Sequence, residues 1–170
     1  MKIEITSVKT SDVDAIAALA RLIWQEAYPE IISQAQIDFM LEQRYNAPRL
    51  REELGSSGVW WDQISVDGQL AGFASSLLGT TPGEIKLDKL YIDPARQRLG
   101  LGGRLIAQVI AHALDNDCDT LILAVNKRNE PAMAAYRKHG FSVRNAVRVD
   151  IGNGFIMDDF IMTKSLLLPC

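Results

Sequence analysis

The stretch Gln97-Arg98-Leu99-Gly100-Leu101-Gly102-Gly103-Arg104 decides how the rest of the chain is read. It follows an apolar-rich run, Glu84 to Ile92, closed by Asp93-Pro94. It opens a run with Leu101, Leu105, Ile106, Val109, Ile110, Ala113 and Leu114 at helical spacing. Glycines between a strand and a helix leave the backbone bare, and the first amides of a helix have no partner inside it. With the helix dipole added, such a turn is a cradle for a pyrophosphate. Two familiar versions are excluded. A dinucleotide fingerprint requires glycine where Leu105 stands, and a P-loop requires Gly-Lys-Ser/Thr. Q/R-x-x-G-x-G fits, and the plain alternative is a turn whose glycines serve only tight packing.

Working outward, Thr120 to Val125 is short and fully apolar, as a buried strand would be. Glu84 to Val125 therefore reads strand, helix, strand, with the two strands as parallel neighbours. Upstream, Asp67-Gly68 joins Val59–Val66 to Gln69–Leu78 as a two-residue hairpin. Lys2 to Lys9 reads as a strand. Ser11 is expected to start a helix, with Asp14 at the capping-box position and Pro29 ending it. Ser33 with Gln36 caps a second helix, and Arg49 to Leu54 forms a third, closed by Gly55. Downstream, Pro131 to Lys138 is helical, and Phe141–Ile151 and Phe155–Met162 are strands. The expectation is one α/β domain over residues 1–170 built on a mixed sheet.

Composition narrows the partners. The chain has 170 residues, 48% hydrophobic and 23% charged, with a net charge of −3, so it carries an ordinary core. The mildly acidic balance weighs against nucleic acid or an anionic membrane as the main partner. No apolar run approaches the roughly 20 residues of a membrane span, and the start lacks a signal-peptide core. Cys118 and Cys170 form neither a disulfide framework nor a metal-ligand spacing. A cytoplasmic protein without a metal is expected, and a homodimer is left open.

On these residues the chain resembles the GNAT superfamily of acetyl-CoA-dependent N-acetyltransferases. One motif is Leu90-Tyr91-Ile92-Asp93-Pro94 running into Gln97-x-x-Gly100-x-Gly102. The other is Asn129-Glu130-Pro131-Ala132-Met133-Ala134-Ala135-Tyr136-Arg137-Lys138-His139-Gly140-Phe141, against a family pattern of roughly N-x-x-A-x-x-x-Y-x-K-x-G-F. The resemblance implies a mixed, mostly antiparallel seven-stranded sheet with a splayed central parallel pair, flanked by four to five helices. It implies acetyl-CoA as co-substrate, with amides from Gln97, Arg98, Leu99, Gly100, Leu101, Gly102 and Gly103 on the pyrophosphate. The strand at Leu90, Tyr91 and Ile92 would pair with the pantetheine arm, Asn129 would contact coenzyme A, and Tyr136 would face the thioester sulfur. Arg98 departs from the pattern, standing where many members have glycine, as does Gln97, where many have arginine. Leu22 to Tyr28 and Asp150 to Asp159 are similar to bacterial polyamine (spermidine/spermine) acetyltransferases.

Acetyl transfer to an amine needs loss of a proton from the ammonium, stabilisation of the carbonyl oxygen, and a proton for the departing thiolate. Tyr136 is the candidate donor, because a phenol is neutral at pH 7. Asp88, two residues before Leu90, is expected to share a face with it and is the candidate base. Glu84 lies further along that face, and an ordered water chain is the alternative. Trp24 and Tyr28, four apart on a helix, line an acceptor slot or pack the core. Asp158 and Asp159 point to opposite faces, so at most one can meet a polycation. Cys118 lies far from the glycine turn, which favours direct attack in a ternary complex over an acetyl-cysteine. His112 and His139 read as structural or exposed, and Asn126 as a second binding residue or a strand-end cap. The acceptor is expected to be a small amine, such as a polyamine. A coenzyme-A-binding regulatory module and a protein N-terminal or lysine acetyltransferase are the alternatives.

Overall fold

The computed structural model describes residues 1–167; Cys170 lies outside them. The elements in chain order are β1 (Ile3–Ser7), α1 (Val13–Ala27), α2 (Gln34–Arg44), α3 (Ala47–Leu54), β2 (Val59–Val66), β3 (Gln69–Leu78), β4 (Glu84–Ile92), α4 (Leu101–Asp115), β5 (Thr120–Asn126), α5 (Glu130–Lys138), β6 (Ser142–Gly152) and β7 (Phe155–Ser165). The seven strands form one sheet in the order β1-β2-β3-β4-β5-β7-β6. β4 and β5 pair in parallel, and the other neighbours are antiparallel.

Local chemistry sets most boundaries. The Asp67-Gly68 hairpin has both residues at positive φ, +49° and +81°, as a two-residue turn requires. Asp93 ends β4 and accepts the Ala95 N–H at 2.9 Å, turning the chain toward α4. The first helix starts later than Ser11. A short 3-10 turn over Thr10–Asp12 precedes it, and the Asp12 carboxylate accepts the Lys9 N–H at 2.8 Å. The third helix starts earlier than Arg49, because Asn46 caps it by accepting the Arg49 N–H at 2.9 Å, with Pro48 in the first turn.

Helices cover both faces of the sheet. α4 buries Leu101, Leu105, Ile106, Val109 and Ala113 against Ile64, Ile85, Leu87, Leu121 and Leu123, with Met133 of α5 at the end of that core. On the other face Val13, Ile16, Ala20 and Trp24 of α1, Ile37 and Met40 of α2, and Leu50 of α3 pack on Trp61 and Phe73.

Two irregularities open the sheet. The parallel ladder runs only from Glu84↔Thr120 to Leu87↔Leu123, so beyond Leu87 the two strands diverge. At the same point Ser75 faces Lys89 and Ser76 faces Leu87, which leaves Asp88 as the extra residue of a β-bulge. The bulge reverses the alternation. Ile85 and Leu87 face α4, and so do Leu90 and Ile92. Lys89 instead lies over the Tyr45 and Trp61 rings on the opposite face. Asp88 therefore shares a face with Lys89 and not with Leu90, which corrects the strict two-residue reading of this strand.

Candidate active site

A cavity of about 730 Å³ runs from the glycine turn through the gap between β4 and β5. Trp24, Tyr28, Asp88, Leu90, Tyr91, Ile92, Gln97, Arg98, Gly100, Leu101, Gly102, Gly103, Asn129 and Tyr136 all line it. Leu99 does not; its side chain is turned to solvent, 37% exposed.

The turn is held in a left-handed conformation at two positions, φ +67° at Arg98 and +74° at Gly100. A left-handed Arg98 explains why glycine is the commoner choice there. A Cβ on Gly100 or Gly102 would meet no atom within 4 Å among the described residues, so packing does not demand glycine at either. At Gly103 packing does matter, since a Cβ would come within 3.0 Å of the His139 ring. The helix α4 begins at Leu101, so its first free amides face this bare stretch. The turn thus fits a pyrophosphate.

Tyr136, on α5, sits beneath the gap with its ring edge-on to Phe141. Burial, and then Tyr28, push its phenol above the ordinary value of 10.0, so it keeps its proton at neutral pH. Asn129 caps α5, its Oδ1 accepting the Ala132 N–H at 3.4 Å, with the residue in the cavity wall. Asn126 forms a local turn, accepting the Arg128 N–H at 2.9 Å. Trp24 is fully buried core, while Tyr28 reaches Tyr91 with a hydroxyl-to-hydroxyl contact of 3.1 Å.

Asp88 is bound by cations on three sides. Lys89 Nζ lies 2.7 Å from one carboxylate oxygen, and Arg44 and Lys86 lie 3.3 and 3.9 Å from the other. Burial alone would raise its pKa, but Lys89 and Arg44 outweigh that and hold it well below the usual carboxylate range. A carboxylate so stabilised is a weak base. Glu84 is likewise occupied, paired with Arg144 at 2.8 Å.

The two aspartates of β7 separate as strand geometry requires. Asp158 turns to Lys127 at 2.9 Å and Arg148 at 3.8 Å. Asp159 turns inward, 3% exposed, and its Oδ1 has no hydrogen-bond partner among the described residues. Burial pushes its pKa up, against the pull of Lys86 and Arg44. Asp159 also lines a second cavity, of about 440 Å³, that opens between α2 and the strands β6 and β7. Arg44 and Asp88 stand in the walls of both.

Sequence reasoning did not find Arg44, Arg49 or Lys86 as site residues, for helical and strand cations read as solvated. Asp159 carried a partial signal, because it interrupts the apolar row Phe155, Met157, Ile161; Asp158 interrupts the alternate row in the same way. His112 is structural, bonded to buried Asp62 at 2.8 Å and stacked on Trp60. Cys118 is a buried free thiol. Among the described residues no group of three His, Cys, Asp or Glu is placed to hold a metal, and no helix is long and apolar enough to cross a membrane.

Comparison with known proteins agrees with this geometry. Residues 15–141 match the acetyltransferase (GNAT) family. The chain is 26% identical over 157 residues to an uncharacterised N-acetyltransferase of Mycobacterium bovis, covering 92% of this chain and 99% of that one. It is 25% identical over 162 residues to the spermidine N(1)-acetyltransferase of Thermoplasma acidophilum, covering 93% and 97%. In fold it is similar to the crystal structure of the PaiA N-acetyltransferase of Thermoplasma acidophilum in complex with coenzyme A, with a TM-score of 0.84, 24% identity and coverage of 97% and 99%. The splayed parallel pair, the glycine turn and the family match lead to one assignment: the chain belongs to the acetyltransferase (GNAT) family and is an N-acetyltransferase that uses acetyl-CoA.

Proposed function

We propose that residues 1–170 act as one acetyltransferase domain that moves the acetyl group to the primary amine of a small molecule, by direct attack in a ternary complex. The observation that carries this is the continuity of the larger cavity from the glycine turn, past Tyr136, to Asp159, where the second cavity meets it. Acetyl-CoA supplies the thioester. The amides of the Gln97–Gly103 turn hold its pyrophosphate, and the edge of β4 beyond Leu87, without a strand partner, holds the pantetheine arm.

The neutral amine attacks the acetyl carbonyl carbon, the C–N bond forms, and the C–S bond breaks. Tyr136 gives its proton to the departing sulfur, the nitrogen sheds its surplus proton to water in the cavity as the amide forms, and Tyr136 is reprotonated from solvent. A primary ammonium has a pKa of about 10.4, so the amine must first lose a proton. The ion-bound Asp88 is a poor acceptor for it, and we assign that transfer to water in the cavity. Asp88 then fixes Arg44 at the acceptor end.

α2 roofs the second cavity, which suits a small acceptor better than a protein chain. The likeness to the spermidine enzyme and the inward Asp159 support a polyamine, whereas the cations around the second cavity weigh against a second ammonium there. A cytoplasmic setting suits the buried free thiol of Cys118.

Tyr136→Phe tests the assignment. Coenzyme A affinity by calorimetry should hold, while kcat in a thiol-release assay falls by roughly 10²–10⁴-fold. Turnover equal to the parent enzyme removes Tyr136 as the proton donor.

A further inference from the structure

The second cavity carries more positive than negative charge. Arg44, Arg49 and Lys86 face Asp88 and Asp159 across it. The carboxylates are not equivalent. Asp88 is consumed by Lys89, Arg44 and Lys86, which leaves Asp159 as the carboxylate without a hydrogen-bonded cation, buried and in the wall of both cavities where they join. The cations are not equivalent either. Arg44 is bound to Asp88, but Arg49 has only a 3.7 Å contact with Glu53, and Lys86 a 3.9 Å contact with Asp88 and a longer-range pull on Asp159. Their side chains remain 55% and 38% exposed.

A polycation entering here would put one ammonium on Asp159 and the next against Arg49 and Lys86, a like-charge contact that weakens binding. An acceptor with an anion at its far end satisfies both ends. Between them the wall is apolar, with Met40, Met157 and Val149 among its residues, so the body of the acceptor is expected to be apolar too. We propose that the acceptor is a small amino-acid-like zwitterion, its ammonium seated on Asp159 and its carboxylate on Arg49 and Lys86. The proposal rests on the acetyltransferase reading given above and narrows its substrate class. Asp159 serves as the positioning carboxylate, holding the amine at the gap between β4 and β5, where the acetyl group arrives.

The test is a thiol-release assay on matched pairs whose carboxylate and amine lie at opposite ends of an apolar chain: 4-aminobutyrate against n-propylamine, 5-aminovalerate against n-butylamine, and 6-aminohexanoate against n-pentylamine, with spermidine alongside. At least one carboxylated member should exceed its bare partner by about tenfold or more in kcat/KM, the worth of a charge-assisted hydrogen-bonded pair. In the Arg49→Gln, Lys86→Gln double variant that ratio should fall toward one. Coenzyme A binding by the variant confirms that it is folded, and the exposure of both side chains makes the change tolerable. Ratios near one in every pair, or spermidine outrunning every acid, overturn the zwitterion proposal while leaving the acetyltransferase reading intact. An unchanged ratio in the double variant overturns the placement on Arg49 and Lys86. Silence on every amine, with coenzyme A still bound, sinks the small-amine reading and this proposal with it.

Discussion

Gly102 shows at a single residue how stability and function part company. It lies in the first turn of a helix, where alanine is the better helix former by up to about 1 kcal/mol, and no atom among the described residues would meet its Cβ within 4 Å. Folding alone gives no reason to keep glycine there, but a pyrophosphate lying on the amides does. Gly102→Ala should therefore leave the melting temperature level or slightly raised and weaken coenzyme A, read by calorimetry as a Kd raised tenfold or more, about 1.4 kcal/mol. Unchanged affinity would mean that the donor does not approach the backbone at this point. Glycines at this spacing were readable from the sequence because a turn is local. The opposite holds for Asp88. Its cations come from α2 and from its own strand, and no spacing rule links residue 44 to residue 88.

At the scale of elements, β4 positions the site, and Gly72 of β3 lets it lie where it does. A Cβ at Gly72 would fall 2.6 Å from Ile92 Cδ1 and 2.7 Å from the Tyr91 carbonyl oxygen. The methyl tip can rotate away, but the carbonyl cannot without moving the strand. Gly72→Ala should cost about 1–3 kcal/mol in urea unfolding and also weaken coenzyme A, since Tyr91 and Ile92 border the donor cavity. A loss of stability without a loss of affinity would detach β3 from the placement of the site. The elements themselves were legible: caps, the Asp67-Gly68 turn and apolar periodicity are short-range signals, and the misplaced helix starts followed from side chains, Asp12 and Asn46, that cap a residue or more away from where the pattern begins. The bulge in β4 was not legible, because a bulge is a property of two strands in register and Asp88 alone gives no sign of it.

For the whole molecule, the legible part was the sequence of elements and the parallel pair; the insertion of β7 between β5 and β6 depends on contacts distant along the chain. Charge balance is also a property at this scale. Asp88 is the shared anion for Arg44, Lys86 and Lys89, and Lys89 is 3% exposed. The folded pKa of Asp88 lies below the unfolded value of 3.8. The stability it contributes is therefore fully present above that value and is lost as the pH falls through the range below it. Asp88→Asn should lower stability at neutral pH by about 1–3 kcal/mol, because buried Lys89 loses its 2.7 Å partner and keeps only Glu53 at 3.7 Å. Unfolding measured between pH 2 and 7 should then show a shallower acid limb than the parent. Parallel limbs, offset by a constant, would show that Asp88 is not the group whose protonation destabilises the protein in acid.

The bulge also bears on how this protein can change by descent. Without Asp88, the row Leu87, Lys89, Leu90, Tyr91, Ile92 already alternates between the two faces of the sheet. Loss of one codon at this position would mend the ladder and keep the donor-facing Leu90 and Ile92 where they are, while removing the anion shared by Arg44, Lys86 and Lys89. An in-frame loss of three nucleotides would thus release Arg44 and Lys86 toward a different acceptor in one step, and leave buried Lys89 to Glu53 alone.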